Sequence, residues 1–596
     1  NTFHSTFQDL SLYQMVDFPT RQKSTLDLFL TNRPSLVRKC TPLPGISDHE
    51  MVFTIADIRA KLKRPVKRKI YLWKNTNFEE IREEVDSFQD DYMERTSIDT
   101  PVETQWTEIK NLIIKTMDRK VPTKMTSCRF SQPWITRDLK KLSRQKKKAH
   151  AKSPLSQEYK DLKQKMQQEC RKRYRDYVSD LVSDVNPSGR KRFWSFIKSK
   201  RCDSTGIAPL MKDGVLQSDG KTKAKLLSDH FASVFSQEDK NNLPTLAEDS
   251  QYRTIQQIMI GPEGVKKLLD KLNPHKACGP DNIPTRFLKE CSSEVSLMLT
   301  LLFQSTLHQG KIPTDWKTAN VTAIFKKGSR HDASNYRPIS LTAHVCKILE
   351  HIIFSEVMKH LEALNILSEK QHGFRKHHSC ESQLLLTIHD LAKGLDDKQQ
   401  IDAILLDFSK AFDKVPHERL LKKLEFYGIR GNLLLWIRDF LTGRSQQVVL
   451  DGITSAPTDV ISGVPQGTVL GPLLFLAYSN DLPDCVSSEV RMFADDCLLY
   501  RPIRSQADAT ALQDDLNHLQ IWEHKWQMAF NPSKCEVLRV SNKRKNIISS
   551  YTLHGAELST VDNARYLGVT INSKLSWKSH VDSVSKKANE TRGPHA

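Results

Sequence analysis

Val490-Arg491-Met492-Phe493-Ala494-Asp495-Asp496-Cys497-Leu498-Leu499-Tyr500 is two apolar runs with a pair of carboxylates between them. Such runs on either side of a two-residue break predict a β-hairpin with Asp495 and Asp496 at its tip. Two like charges side by side between hydrophobic strands are costly unless a cation neutralises them. Carboxylate oxygens suit Mg2+, which keeps waters and substrate phosphate oxygens as its other ligands. Taken by itself, the stretch also reads as a solvated Asp-Asp turn.

Upstream, Ile401-Asp402-Ala403-Ile404-Leu405-Leu406 is another β-leaning apolar run. It ends at Asp407, and Phe408-Ser409-Lys410-Ala411-Phe412-Asp413 follows. A helix is predicted from near Pro416, a good first-turn residue, to Gly428, a good residue just past a helix end. Asp407 thus sits where a buried strand meets a turn, a place where a lone aspartate is usually a turn residue or cap. Joined to Asp495 and Asp496, it acquires a chemical meaning. Two ions held by carboxylates can flank an in-line phosphoryl displacement, one activating a 3′-hydroxyl and the other stabilising departing pyrophosphate.

Further motifs stand in order around these residues. Phe493-Ala494-Asp495-Asp496 resembles motif C of reverse transcriptases, in the form typical of LINE-type elements, and Asp407–Asp413 resembles motif A. Ser462-Gly463-Val464-Pro465-Gln466-Gly467-Thr468-Val469-Leu470-Gly471-Pro472 resembles motif B, and Asn335-Tyr336-Arg337-Pro338-Ile339-Ser340-Leu341 the fingers motif. Lys276-Ala277-Cys278-Gly279-Pro280-Asp281 and Gln371-His372-Gly373-Phe374-Arg375 are also family-like. So are Asn531-Pro532-Ser533-Lys534-Cys535, similar to motif D, and Tyr566-Leu567-Gly568-Val569, similar to the hairpin that supports the primer end. Over residues 264–575 the chain resembles non-LTR (LINE-type, jockey- or CR1-like) retrotransposon reverse transcriptases.

The resemblance implies an α+β fold: a right-hand polymerase with fingers, an antiparallel palm sheet and a partial thumb. Fingers and palm are expected over 264–505, the palm end and start of the thumb over 506–596, and the reverse transcriptase domain itself over about 308–572. It implies an RNA-directed DNA polymerase with two Mg2+ ions (Mn2+ as substitute) on Asp407, Asp495 and Asp496. Lys326 (or its neighbour Lys327) and Arg337 match positions that hold the triphosphate, as an ammonium and a guanidinium fork can. Phe412 matches the bulky residue beneath the sugar, where a ring excludes a ribose 2′-hydroxyl. Gln466 and Gly467 belong to a loop whose glycines let backbone approach the nucleotide. Lys534 is a candidate proton donor to pyrophosphate, and Arg375 a template contact. His377 and His378 have no acidic or cysteine partner at ligand spacing and read as surface residues. Implied partners are template RNA, a DNA primer or target DNA, and deoxynucleoside triphosphates. The implied reaction is target-primed reverse transcription, with the protein intracellular and in the nucleus at integration.

Outside this block the chain is strongly basic. It has 596 residues, a formal net charge of +20 and a pI of about 9.3, which favours a polyanionic partner. Residues 137–201 carry 21 Lys or Arg against 7 Asp or Glu, with Tyr174, Phe193, Trp194 and Phe196 interleaved. That pattern predicts a charged helical pair and a template-binding surface, because cations neutralise phosphates and rings stack on bases. Phe78–Val85 and Trp106–Met117 have helical spacing, whereas 205–260 reads as a polar linker with one amphipathic helix near Leu226–Phe235. No run of about 18 apolar residues predicts a membrane span. The eleven cysteines include no CxxC pair and read as reduced thiols.

Residues 1–60 contain two apolar runs, Leu26–Leu30 and Met51–Ile55, expected to be buried strands. Ser47-Asp48-His49 resembles the C-terminal end of an apurinic-type endonuclease, an α/β-sandwich. There His49 is the catalytic histidine, Asp48 a supporting carboxylate, and Asp27 matches the aspartate of the preceding strand. The chain starts at Asn1, not Met, and reads as a fragment without that family's metal-binding residues, so endonuclease activity is not expected. Residues 61–260 are then a basic, mostly helical linking region. The alternative to an active polymerase is an inactive or truncated retrotransposon relic that only binds nucleic acid.

Overall fold

The computed structural model describes residues 12–592, except 32, 44–48, 58–68, 126–131, 154–155, 184–192, 195, 197–205 and 247–251. The chain divides into two compact units, residues 1–69 with 125–132, and residues 70–124 with 133–596.

In the first unit β1 (Val37–Leu43) and β2 (Met51–Ala56) pair antiparallel, with Thr41 opposite Phe53 and Leu43 opposite Met51. Met51–Ile55 is thus a strand as expected, but of Leu26–Leu30 only Leu30 joins one, the two-residue strand Leu30–Thr31. Neither run is buried: Leu26, Leu28, Met51, Phe53 and Ile55 are all exposed. A two-stranded pair has little but itself to bury its apolar side chains against.

The second unit opens with α1 (Phe78–Arg95) and α2 (Val102–Lys120). Apolar residues three and four apart give each a buried stripe: Ile81 and Val85 on α1, and Trp106, Ile109, Ile113 and Met117 on α2. The basic stretch forms α3 (Arg137–Lys152), capped by the Thr136 side chain, and α4 (Gln157–Ser183), which pack together. Trp134 lies against Tyr174 and Tyr177, with ring centroids 4.9 and 5.6 Å away. Part of the aromatic content of this region therefore packs on itself at the surface, while Trp194 remains exposed.

The amphipathic helix expected near Leu226–Phe235 is present over Gly220–Ala232, and it packs part of the segment read as polar linker against distant residues. α5 (Gly220–Ala232), capped by Asp219, buries Leu227 and Phe231 with Leu210 against Val321, Tyr336, Val448 and Leu450. Farther on, the Glu238 carboxylate accepts the backbone N–H groups of Glu418 and Arg419 at 2.9 Å each. Outside α5 the apolar residues of this segment are sparse: Leu210 is buried against distant partners, whereas Met211, Val215 and Leu216 stay exposed.

α6 (Ser292–Gln309), which ends on left-handed Gly310, leads into the sheet region. The strands that follow are β3 (Thr318–Phe325), β4 (Tyr336–Leu341), β5 (Gln400–Asp407), β6 (Arg444–Leu450), β7 (Ile453–Thr454), β8 (Thr458–Val460), β9 (Glu489–Phe493), β10 (Asp496–Ile503), β11 (Glu536–Val540) and β12 (Ser559–Val561). Interleaved helices are α7 (His344–Ala363), α8 (Cys380–Asp396), α9 (His417–Phe426), α10 (Leu470–Ser479) and α11 (Gln506–Trp526). One sheet has the order β4-β3-β6-β7, with β8 also on β6; the other runs β9-β10-β5-β11-β12. In the second sheet only the outer β11/β12 pair is parallel.

The fold is therefore α+β. Central β5 is buried on both faces, which is why Ile401–Leu406 reads as an almost unbroken apolar run. α10 is apolar all round and buried along its length. No helix among the described residues is long and apolar enough to cross a membrane.

Candidate active site

Asp407 ends β5, and Asp496 begins β10. The two are register partners in the antiparallel ladder, which sets their side chains on the same face. Phe493 pairs with Asp496, leaving Ala494-Asp495 as a two-residue turn in which Ala494 has φ +57°. The hairpin read from the sequence is thus present, and it delivers both tip carboxyls beside the end of β5. Asn531 pairs with the same strand end, its N–H donating to the Asp407 carbonyl at 2.8 Å. A short 3-10 turn, Pro532–Lys534, then brings the Lys534 ammonium 2.9 Å from Asp407 Oδ2.

Burial and like charge act together on the carboxyls. Asp495 is raised above the ordinary carboxyl range, first by desolvation and then by repulsion from Asp407. Asp496 keeps an edge open to solvent, yet the protein mass around it, with repulsion from Asp495 and Asp407, pushes it up to about 6. Opposing cations are Lys326, just past β3, and Arg337 on β4; both act to lower Asp495 and Asp496. Lys326 is itself lowered, first by burial and then by the neighbouring charges of Arg337 and Lys534. Of the two adjacent lysines, Lys326 is the one whose charge these two carboxylates feel. Among the described residues no three His, Cys, Asp or Glu side chains close on one point as a ready cage for a metal ion.

The loop after β8 is built around Asp413 and β4. Gln466 Nε2 donates to Asp413 Oδ1 at 2.8 Å, and the Gln466 carbonyl accepts the Ser340 N–H at 2.9 Å. Gly467 has φ +101°, and a Cβ there would stand 2.8 Å from the Ser340 carbonyl oxygen. Its close backbone approach in this structure is to β4. Phe412 stacks on Phe475 of α10 with centroids 4.6 Å apart, and its edge faces Phe374.

Other expected residues fare differently. Arg375 is not poised for template: its guanidinium is nearly buried and donates to the Ser368 carbonyl at 2.8 Å and the Gln371 carbonyl at 3.4 Å. His377 is exposed, whereas His378 is half-buried against His372. Asp281 is fully buried, with one carboxyl oxygen accepting the Ile283 N–H. Tyr566–Val569 is a hairpin turn with Leu567 and Gly568 both at positive φ. In the first unit, His49 Nδ1 and Asp27 Oδ2 are 2.8 Å apart, and Asp27 lies below the ordinary carboxyl range chiefly through that bond. Ser47 and Asp48 lie outside the described residues.

Sequence reasoning missed two supports. Glu350, buried on α7, accepts the N–H groups of Val469 and Leu470 at 2.6 and 3.1 Å and so caps the start of α10. Gln371 braces the turn at Ala494. Neither lies near its partner in sequence, and no local pattern announces either.

The family model described as reverse transcriptase (RNA-dependent DNA polymerase) matches residues 324–571. Residues 324–571 are a reverse transcriptase domain. Every member of the carboxylate and cation cluster falls inside these bounds. The chain is homologous to RNA-directed DNA polymerases of non-LTR retrotransposons. It is 27% identical over 511 residues to the RNA-directed DNA polymerase from mobile element jockey of Drosophila funebris, covering 82% of this chain and 55% of the relative. The jockey protein of Drosophila melanogaster is 30% identical over 334 residues, covering 54% and 36%. The probable RNA-directed DNA polymerase from transposon X-element of that fly is 27% identical over 420 residues, covering 67% and 45%. The chain thus spans about half the length, or less, of these curated relatives. Reverse transcriptase domains generally use divalent metal ions and act on an RNA template with DNA and nucleotide substrates.

Proposed function

We propose that this chain is the RNA-directed DNA polymerase of a non-LTR retrotransposon, copying the element's RNA by target-primed reverse transcription. The observation that carries this reading is the meeting of Asp407, Asp495 and Asp496 with Lys326, Arg337 and Lys534 inside the reverse transcriptase domain. On this reading the β9-β10-β5-β11-β12 sheet is the palm, the β3/β4 hairpin belongs to the fingers, and residues 573–592 begin the thumb.

The donor set suits two hard divalent cations. It offers carboxylate oxygens only, one of them already paired with an ammonium, and Asp495 and Asp496 are raised by desolvation and then by carboxylate repulsion, both of which a bound cation would offset. Asp407 and Asp495 would hold the ions, with Asp496 beside them. Bound Mg2+ supplies activation of the primer 3′-hydroxyl and neutralisation of the departing pyrophosphate. The chain's own side chains do the rest. Arg337 and Lys326 hold the triphosphate. Phe412, seated on Phe475, stands beneath the sugar and excludes a 2′-hydroxyl. The primer 3′-hydroxyl gives its proton to solvent as its oxygen bonds to the α-phosphorus, the bond from that phosphorus to the α–β bridging oxygen breaks, and Lys534 donates a proton to the pyrophosphate that leaves.

The α3/α4 hairpin offers its cations to the template backbone. The Asp27–His49 pair supports reading residues 1–60 as resembling the C-terminal part of an endonuclease-like domain, with the carboxylate orienting the imidazole.

The test is primer extension on poly(rA)/oligo(dT) with Mg2+ and dTTP. Native protein extends the primer. Asp407→Asn extends it at least about a hundredfold more slowly, as expected when a charge that stabilises the transition state is removed, and binds the duplex nearly as well. Tight binding by native protein with no extension favours an inactive relic instead.

A further inference from the structure

Ala494 is the residue on which the aim of the two tip carboxylates depends. It has φ +57°, a conformation disfavoured for a non-glycine residue. Something in the fold has to hold it.

Gln371 touches Ala494 on both sides of its peptide unit. Gln371 Oε1 accepts the Ala494 N–H at 2.9 Å, and Gln371 Nε2 donates to the Ala494 carbonyl at 3.3 Å. The same Oε1 accepts the Gly373 N–H at 2.7 Å. Because both groups facing Oε1 are N–H donors, the amide has only one sensible orientation. Gln371 and Ala494 are both buried, so each of these polar atoms depends on the others for a partner.

The brace is itself anchored. Residues 370–372 run beside β9: Met492 N–H donates to the Lys370 carbonyl and His372 N–H to the Met492 carbonyl, both at 2.9 Å. Gly373 permits the approach, since a Cβ there would stand 2.3 Å from the Ala494 nitrogen. The Arg375 guanidinium holds the Gln371 and Ser368 carbonyls from behind. Within the family-like run, Gln371, His372 and Gly373 meet the hairpin directly, and Arg375 acts on it through Gln371.

We propose that Gln371 is a positioning residue of the polymerase, a clamp that holds the Ala494 turn at positive φ so that Asp495 and Asp496 face Asp407. The effect on catalysis rests on the polymerase reading above; the clamp on the turn does not.

The experiment compares native protein, Gln371→Ala, Ala494→Gly and the double variant. Three quantities are measured: steady-state primer extension, the Mg2+ concentration giving half-maximal rate, and hydrogen exchange at the residue 494 amide. Gln371→Ala should lower kcat at least about tenfold, since small misplacements in a catalytic constellation have effects of this order. It should also raise the Mg2+ requirement and leave primer–template affinity within about twofold. Its Ala494 amide should exchange at least about tenfold faster while β5 amides stay protected. Glycine reaches positive φ without strain, so adding Ala494→Gly should return much of the lost kcat.

Unchanged kcat and Mg2+ requirement in Gln371→Ala overturn the proposal, as does failure of Ala494→Gly to restore any activity. If Gln371→Ala does not fold, Ala494→Gly and the double variant decide: similar kcat supports the clamp, and a tenfold fall overturns it. If native protein extends no primer, the polymerase reading fails. The exchange data then judge the clamp alone, with an unaltered Ala494 amide ending it.

Discussion

Asp407 and Asp496 stand directly opposite one another in the β5/β10 ladder, the last residue of one strand against the first of the next. Neighbouring strands lie about 4.8 Å apart, so carboxyls on one face of such a pair repel strongly unless a cation intervenes. Lys534 supplies part of that charge, at 2.9 Å from Asp407.

Lys534 therefore has two readings with different consequences. A mere counter-ion for Asp407 is dispensable once Mg2+ is bound. A proton donor to pyrophosphate is not. We expect Lys534→Ala to lower kcat by about a hundredfold, a typical loss for general-acid removal, with no rise in the Mg2+ requirement. Lys534→Arg should fall less. Pre-steady-state nucleotide incorporation against pH is the check, and an unchanged rate rejects the donor role.

Phe412 lies between packing and selection. Its ring is stacked on Phe475 and only partly buried. Phe412→Val should raise incorporation of ribonucleotides relative to deoxynucleotides at least about tenfold, because clash with a 2′-hydroxyl disappears. The lost contact area should lower stability by about 1–2 kcal/mol. Competition between UTP and dTTP on poly(rA) reads the first effect, and urea unfolding the second.

The α3 helix presents Arg144, Lys147 and Lys148 to solvent. If this face meets RNA, replacing all three with Gln should weaken RNA binding at low salt. The slope of log K against log[salt] should become shallower by about 2 for single-stranded RNA, given roughly 0.7 per lost phosphate contact. Fluorescence anisotropy over a range of KCl concentrations provides the slope. No change assigns this surface to solvent.

Burial pushes Asp281 from its ordinary 3.8 up to about 6. A folded-state value above the unfolded one means the folded protein holds the proton more tightly. This contribution to stability is present in full below about pH 4 and is lost as pH rises through 6, by roughly 3 kcal/mol. Asp281→Asn carries no such dependence. Its stability relative to native protein should therefore increase between pH 4 and pH 7, as read from denaturant midpoints. A gap that stays constant contradicts the assignment.

Much of this site is legible in the sequence because it is local. Apolar runs of strand length mark β5, β9 and β10, and the carboxylates fall where those runs stop. Asp407, Asp495 and Asp496 can be picked out before any coordinates exist, as can the helix between Pro416 and Gly428. The supports are not local. Gln371 reaches Ala494 across more than a hundred residues, and Glu350 reaches the start of α10 across a similar distance. Polar side chains that pair with distant backbone leave no period in the sequence. Arg375 shows the reverse hazard, since a cation in a family-like motif looks available for phosphate until two carbonyls are seen to occupy it. Residues 207–246 look mostly like linker for a related reason: one amphipathic helix is legible there, but the partners of Leu210, Leu227 and Phe231 come from β3, β4 and β6, far along the chain.

The most direct test replaces Asp495 with Asn in protein that is otherwise native. RNA-templated primer extension with Mg2+ and binding to the same primer–template are then measured in parallel. The account predicts that native protein lengthens the primer, whereas the variant binds it with nearly native affinity and lengthens it at least about a hundredfold more slowly. Equal extension by the two proteins would contradict it.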